Sequence, residues 1–328
     1  MRHVPSVLAA LLAIAWSSTD VAADTLDTVL KRQRLVCGVS QGVPGFSAKD
    51  AAGTWRGLDV DFCRALSSAI FGTPDKVDYV PLSADERFDV LKSGKIDVLS
   101  RNSTWTMRRD IGERLQFVGI YYYDGQSIIA PAERGWVSAM ELSGVTVCVQ
   151  SGTTSQANVA TYFRQHGLKN EIRAFSTLGE LLAAYLAKRC DAYTADRSAL
   201  AAQRLGFDQP DAHVVLPEVI SKEPLGPVVR KGDADWADVV RWVLFALINA
   251  EEAGHSKAKF AQQGPALEGI PAISSRLPRD WYQQTVAHVG NYGEIFERNL
   301  GKETPLGIER GINSLWTQGG LLYAPPLR

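Results

Sequence analysis

Six polar residues have the types needed to grip a small zwitterion. Arg109 offers a planar, permanently charged guanidinium suited to bidentate pairing with a carboxylate. Thr104 and Thr154 can add hydroxyl or main-chain N–H donors. Gly152-Thr153-Thr154 reads as a helix start, where unpaired N–H groups and the positive end of the helix dipole favour an anion. Asp196 can pair with an ammonium, and the carbonyl groups of Asn102 can accept hydrogen bonds beside it. These types complement the α-carboxylate and α-ammonium of an amino acid.

Each residue also has a plainer reading. Arg109 stands next to Arg108, and either could be a solvated surface residue. Asp196, Thr153 and Thr154 could simply cap helices. Asp59 and Asp61 read as caps and turn residues before a helix. Trp55, Trp105 and the Tyr121-Tyr122-Tyr123 run could stack on a ligand, although aromatic side chains near a crossover more often pack against one another.

What would bring the six together is an open α/β sheet, because such sheets bind ligands beyond the carboxyl ends of their strands. Apolar runs at 35–40, 77–80 and 96–99 read as strands, with helices at about 59–71 and 86–92 between them. The pattern restarts with strands at 121–130, 145–149, 172–175 and 190–193, and helices at about 153–166, 177–188 and 197–205. Further strands are expected at 214–219 and 226–230, then a helix at 236–252 and a mostly helical final 60 or so residues. The fold class is therefore α/β with two units. The chain crosses between them twice, through expected hinge strands at 120–128 and 219–227. The expected division is a signal peptide over 1–23, a first lobe over 24–122, a second over 123–222, and a return to the first over 223–328. Asn102, Thr104, Arg109, Thr153, Thr154 and Asp196 all fall just past expected strand ends, facing a cleft that could close.

Composition removes several other readings. A length of 328 residues with 45% apolar and 22% charged residues suits one large or two medium soluble domains. The net charge of −1 and the lack of a basic run give no footprint for nucleic acid. Arg2, the apolar run from Val7 to Trp16 and the small residues Val21-Ala22-Ala23 predict a cleaved export signal ending before Asp24. The apolar run is too short to cross a bilayer core of about 30 Å as a helix. Export makes the four cysteines candidates for disulfides. Of the three pairings, Cys37–Cys63 with Cys148–Cys190 keeps each bridge within one lobe; four free core thiols are the alternative. No C-x-x-C occurs and the five histidines are scattered, so neither a zinc site nor a cofactor is expected.

From Leu35 to about Lys231 the chain resembles the polar amino-acid binding proteins of ABC importers, solute-binding protein family 3. The resemblance is carried by Gly57-Leu58-Asp59-Val60-Asp61, Ser93-Gly94-Lys95-Ile96-Asp97-Val98, Thr106-Met107-Arg108-Arg109, Gln150-Ser151-Gly152-Thr153-Thr154 and Asp191-Ala192-Tyr193-Thr194-Ala195-Asp196, in that order. Cys37-Gly38-Val39-Ser40, Pro44-Gly45-Phe46, Arg189-Cys190-Asp191 and Gly226-Pro227-Val228-Val229-Arg230 extend it towards the general L-amino-acid binding proteins. The resemblance implies a type II periplasmic-binding fold, an L-amino-acid ligand, a membrane permease as partner, a periplasmic location and a monomer. It implies Arg109 on the ligand carboxylate with Thr104 and Thr154 beside it, Asp196 on the ammonium, and a backbone carbonyl from Asn102. Where many relatives stack an aromatic on the ligand, this chain has Gly42-Val43-Pro44-Gly45-Phe46, which fits broad specificity. The competing expectation is a lyase on the same fold, similar to cyclohexadienyl dehydratase. It would need a general acid or base in the cleft, such as Asp196 or Glu180. A ligand-sensing module of a receptor is disfavoured, since no later segment is long enough to span a membrane.

Overall fold

A computed structural model describes residues 24–262 and 269–328. The expected signal segment lies outside the described residues. No helix among those described is long and apolar enough to cross a membrane.

The first sheet has the order Val77–Leu82, Leu35–Ser40, Val98–Leu99, Val228–Arg230, Leu115–Phe117. The first three strands run parallel, and Val228–Arg230 is antiparallel to both its neighbours. Helix Leu58–Phe71 packs on this sheet and is buried along nearly its whole length. It starts at Gly57, whose φ of 128° and approach to Phe46 leave no room for a side chain: a Cβ there would lie 2.0 Å from the Phe46 carbonyl oxygen. It stops at Gly72 in the left-handed conformation, whose N–H returns to Ser68 O. Cys37 in strand Leu35–Ser40 is bonded to Cys63 in this helix.

The second sheet has the order His213–Val215, Tyr122–Pro131, Ala192–Asp196, Thr146–Gln150, Glu171–Phe175. Strand Ser221–Leu225 pairs antiparallel with the first half of Tyr122–Pro131, from Ser221 opposite Gln126 to Leu225 opposite Tyr122. These two strands are the crossings. The chain leaves the first sheet after Phe117, enters the second at Tyr122, and returns through Leu225 to Val228. At the junction Gly226 comes so close to Gly119 that a Cβ would lie 1.9 Å from its carbonyl oxygen. Adjacent residues of the long strand face opposite sides: Ile128 joins an apolar cluster with Val147, Val159 and Phe163, and Ile129 joins another with Leu181, Tyr185 and Tyr193. Cys148 and Cys190 are bonded within this sheet region.

The two expected elements at 214–219 and 226–230 are shorter in the structure, as His213–Val215 and Val228–Arg230, and the second crossing is a separate strand between them. The expectation of a helical C-terminus is corrected. Helices Trp281–Val289 and Tyr292–Asn299 form, but beyond Asn299 only two single turns, Gly311–Asn313 and Trp316–Gln318, are regular. Thr304-Pro305, four glycines between 307 and 320, and Pro325-Pro326 explain this, because neither residue type sustains a helix interior. This irregular strap is nevertheless anchored. Leu315, Leu322 and Ala324 are buried in the same core as Trp236, Trp281 and Tyr292. Asn313 Nδ2 donates to Tyr123 O (3.0 Å) and its Oδ1 accepts from Tyr123 N (2.7 Å), so the strap holds a crossing strand.

Candidate functional site

A cavity of about 310 Å³ lies between the carboxyl ends of the two sheets, and all six residues expected to act together line it: Asn102, Thr104, Arg109, Thr153, Thr154 and Asp196. The opposing faces already touch. Arg87 Nη2 donates to Gly152 O (3.2 Å), Arg109 Nη2 reaches the same oxygen at 3.5 Å, and Ser151 Oγ donates to Asp85 Oδ2 (2.6 Å). The structure therefore has the cleft closed.

Arg109 is 6% exposed, whereas Arg108 faces solvent, which separates the two arginines that sequence alone left equivalent. Arg109 sits in the wide turn Arg108–Gly112, packs its guanidinium over the Phe88 ring at 5.1 Å, and donates to Thr104 O (2.8 Å). Burial lowers its pKa, partly opposed by the negative field of Glu223.

Asp196 closes strand Ala192–Asp196 and occupies the N-cap position of helix Arg197–Arg204, yet its side chain makes no cap hydrogen bond. It is buried and turned to the cavity instead. Burial first, then the neighbouring Asp124 and Glu223 carboxylates, push its pKa well above the usual carboxylate range; Arg109 and Arg87 pull the other way. Asp124, on the first crossing strand, is raised to about 6, chiefly by burial. A cation placed beside Asp196 would relieve this crowding. Asn102 has a left-handed backbone (φ 30°), and its buried Oδ1 has no partner among the described residues. It is an acceptor waiting for a donor.

The threonines are arranged differently from expectation. Thr104 Oγ1 donates to Glu223 Oε2 (2.5 Å), Thr154 Oγ1 donates to the same oxygen (2.9 Å), and Thr153 Oγ1 donates to Gln150 O (2.7 Å). Their hydroxyl hydrogens are engaged, so what this segment presents is the N–H group at the start of helix Thr154–Gln165. Glu223, on the second crossing strand, was not singled out from sequence. It is 1% exposed and also accepts from Asn158 Nδ2 (2.7 Å) and Ser221 Oγ (2.5 Å). Its only sequence signal is a carboxylate in the middle of an expected hinge strand. Arg87 and Arg101 also line the cavity without having been expected there.

Other candidates fall away from the cavity. Asp59 and Asp61 lie inside the first turn of their helix, not at its cap. Asp59 accepts from the Tyr121 hydroxyl, and Asp61 accepts from Arg298 Nε (2.8 Å) and Asn299 Nδ2 (2.7 Å). Trp105 stacks on Phe117 with ring centres 5.6 Å apart, and Trp55 packs on Tyr79. Glu180 is exposed and completes the capping box of helix Leu178–Leu186. Ser40, Gln41, Gly42 and Val43 supply one rim. Among the described residues no group of three or more His, Cys, Asp or Glu could hold a metal ion.

Residues 35–263 match the family described as bacterial extracellular solute-binding proteins, family 3. The chain is 48% identical to the general L-amino acid-binding periplasmic protein AapJ of Rhizobium johnstonii, over 98% of this chain and 97% of that one. It is 45% identical to the glutamate/glutamine/aspartate/asparagine-binding protein BztA of Rhodobacter capsulatus, over 98% and 97%. Among solved structures, a periplasmic binding protein from Brucella ovis with glutathione bound superposes with a TM-score of 0.89 at 48% identity, covering 93% of this chain and all of that one.

Proposed function

The chain belongs to the bacterial extracellular solute-binding proteins, family 3, with the type II two-lobed fold, and from that premise we propose that it is the exported periplasmic receptor of an ABC importer, capturing several free L-amino acids in the interlobe cavity and passing them to the membrane permease. The observation that carries this is one cavity in which a buried guanidinium and a buried carboxylate face each other across a closed cleft. Relatives that match over almost the whole chain, and are named as amino-acid binding proteins, support it.

In this reading Arg109 holds the α-carboxylate, helped by the main-chain N–H at Thr154 and by Thr104 when its hydroxyl turns from Glu223. Asp196 and Asn102 Oδ1 receive the α-ammonium, and Thr153 shapes the same loop. The ligand docks on the first lobe, which is 24–122 together with 223–328. The second lobe, 123–222, then swings on the paired crossing strands. A matched zwitterion favours closure because each buried charge gains its opposite.

We also hold that the protein turns nothing over. Asp196 is the one carboxylate among the described cavity-lining residues, and the other acid–base side chain there is the Tyr193 phenol, whose pKa burial raises. The test is calorimetric titration of the mature chain with the twenty L-amino acids, their D-isomers, prephenate and arogenate. Saturable binding of several L-isomers, with D-isomers at least about a hundredfold weaker, is expected. Conversion of prephenate or arogenate, or no amino-acid binding at all, would overturn the proposal.

A further inference from the structure

Three buried arginines line the cavity: Arg87 (2% exposed), Arg101 (8%) and Arg109 (6%). Among the described residues none is ion-paired, and their hydrogen bonds all go to main-chain carbonyl oxygens. Charges buried without a partner are costly, so the arrangement is suited to an anion that arrives from outside. The zwitterion proposed above accounts for one guanidinium, Arg109, and one carboxylate, Asp196. Two arginines remain.

Their hydrogen bonding separates them. Arg87 commits both terminal nitrogens, Nη1 to Ala84 O and Nη2 to Gly152 O, and thereby bridges the two lobes. Arg101 commits only Nε, to Leu82 O at 2.9 Å. Its two terminal nitrogens have no partner among the described residues, although the residue lines the cavity. The acids whose charge reaches Arg101 are Asp59 and, across the cleft, Asp196, and neither forms an ion pair with it among the described residues. Asp59 accepts from Tyr121, from Asn102 N (3.3 Å) and from Ser47 Oγ (3.3 Å), and Glu223 is filled by four side-chain donors. Burial brings the Arg101 pKa down to about 10, so it remains cationic at neutral pH.

We propose that Arg101 determines specificity within the cavity: its open fork takes a second carboxylate of the ligand, remote from the α-carbon. This rests on the amino-acid reading above and narrows it. The preferred ligands carry two carboxylates and one ammonium, a pattern supplied either by an acidic amino acid or by a short peptide with a γ-linked glutamyl head. Ligands with cationic side chains are disfavoured by the same fork.

The experiment is calorimetric titration of the mature chain with L-glutamate, L-aspartate, L-norvaline, L-lysine and reduced glutathione. Norvaline matches the carbon chain of glutamate but lacks the distal carboxylate. Glutamate, aspartate or glutathione should bind at least about tenfold more tightly than norvaline, and lysine should be weakest. Tight glutamate with weak glutathione identifies the free acid as the source; the reverse identifies the peptide. In Arg101→Met the preference for the diacid over norvaline should fall to within about threefold, a change that a purely structural role would not produce because it would weaken all ligands alike. Arg101→Lys, which keeps the charge without the fork, should retain an intermediate preference and serves if the Met variant does not fold. A wild-type preference near one, or a preference preserved in the variants, overturns the inference while leaving amino-acid binding intact. Failure of every ligand to bind the wild type would instead sink the receptor reading itself.

Discussion

The wall of the cavity on the first sheet carries Arg87, Arg101 and Arg109, all buried and held by main-chain carbonyls. The wall on the second sheet carries Thr153, Thr154 and Asp196, with Asp196 crowded by other carboxylates. Neither wall is electrostatically content alone. Among the described residues none of the three arginines forms an ion pair and neither does Asp196; the walls meet where Arg87 and Arg109 reach Gly152 O and where Ser151 Oγ donates to the Asp85 carboxylate. Direct ion pairing between the walls would let an empty cleft lock shut. In the proposed reading, keeping the charges apart makes the ligand the missing member of both pairs, so that occupancy adds to the stability of the closed form.

The sharpest way to break this comparison is to remove the cation. Arg109→Ala should weaken amino-acid affinity by at least about thirtyfold, in the range of roughly 2–5 kcal/mol for stranding a buried charge. Stopped-flow binding should locate the loss in association as well as dissociation, if the ligand docks first on this wall as proposed. Near-wild-type affinity would remove Arg109 from the site.

On the opposite wall, Asp196→Asn should cost about tenfold to a hundredfold and act mainly on dissociation, since in the proposed sequence it meets the ligand only after closure. The same variant should raise the melting temperature of the empty protein, because it removes a carboxylate whose ionisation is disfavoured by burial and by Asp124. Equal kinetic signatures for the two variants would mean that the walls do not act in sequence.

Titration offers a milder probe of the second wall. Asp196 and Asp124 are both raised, the latter to about 6. An acid raised on folding favours its neutral form in the folded state. It therefore costs stability above its folded pKa, and that cost disappears as pH falls through it. The empty protein should gain stability from these groups as pH drops from 7 to 5. Ligand affinity should fall about tenfold over the same window, because the ammonium needs Asp196 ionised. Calorimetry in that range checks both signs, and affinity that stays flat would place the ammonium elsewhere.

The smallest effect is expected from Thr154→Ala, about threefold. Its hydroxyl already serves Glu223, and the contribution proposed for it is a main-chain N–H at the helix start that alanine retains. A loss above about thirtyfold would show that the hydroxyl switches to the ligand on binding.

Much of this organisation was legible in the sequence because local patterns carried it. Strand Thr146–Gln150 and helix Thr154–Gln165 follow directly from an apolar run, a glycine turn and a periodic segment. The six residues that line the cavity were legible as a group because each follows a strand end, and open sheets place ligands there. Arg87 escaped notice because it lies in helix Arg87–Lys92, where an arginine ordinarily reads as solvated; its burial comes from the second lobe pressing on that turn. Glu223 escaped for a related reason. Its partners Thr104, Thr154 and Asn158 come from distant parts of the chain and gather only at the crossing strands. The irregular strap after Asn299 was misread because its buried side chains recur without helical spacing around glycines and prolines.

The grip of Asn313 on Tyr123 has a consequence for association between molecules. Tyr122–Pro131 is flanked by Ala192–Asp196 only from Gln126 onwards, so the segment before it has a neighbour on one side alone. A primary amide that both donates to and accepts from one residue reproduces the bonds a further strand would make there. An exposed strand edge is a template for pairing with other chains. The strap thus covers a strand edge at the crossing between the sheets, and a chain shortened before Asn313 would leave that edge bare.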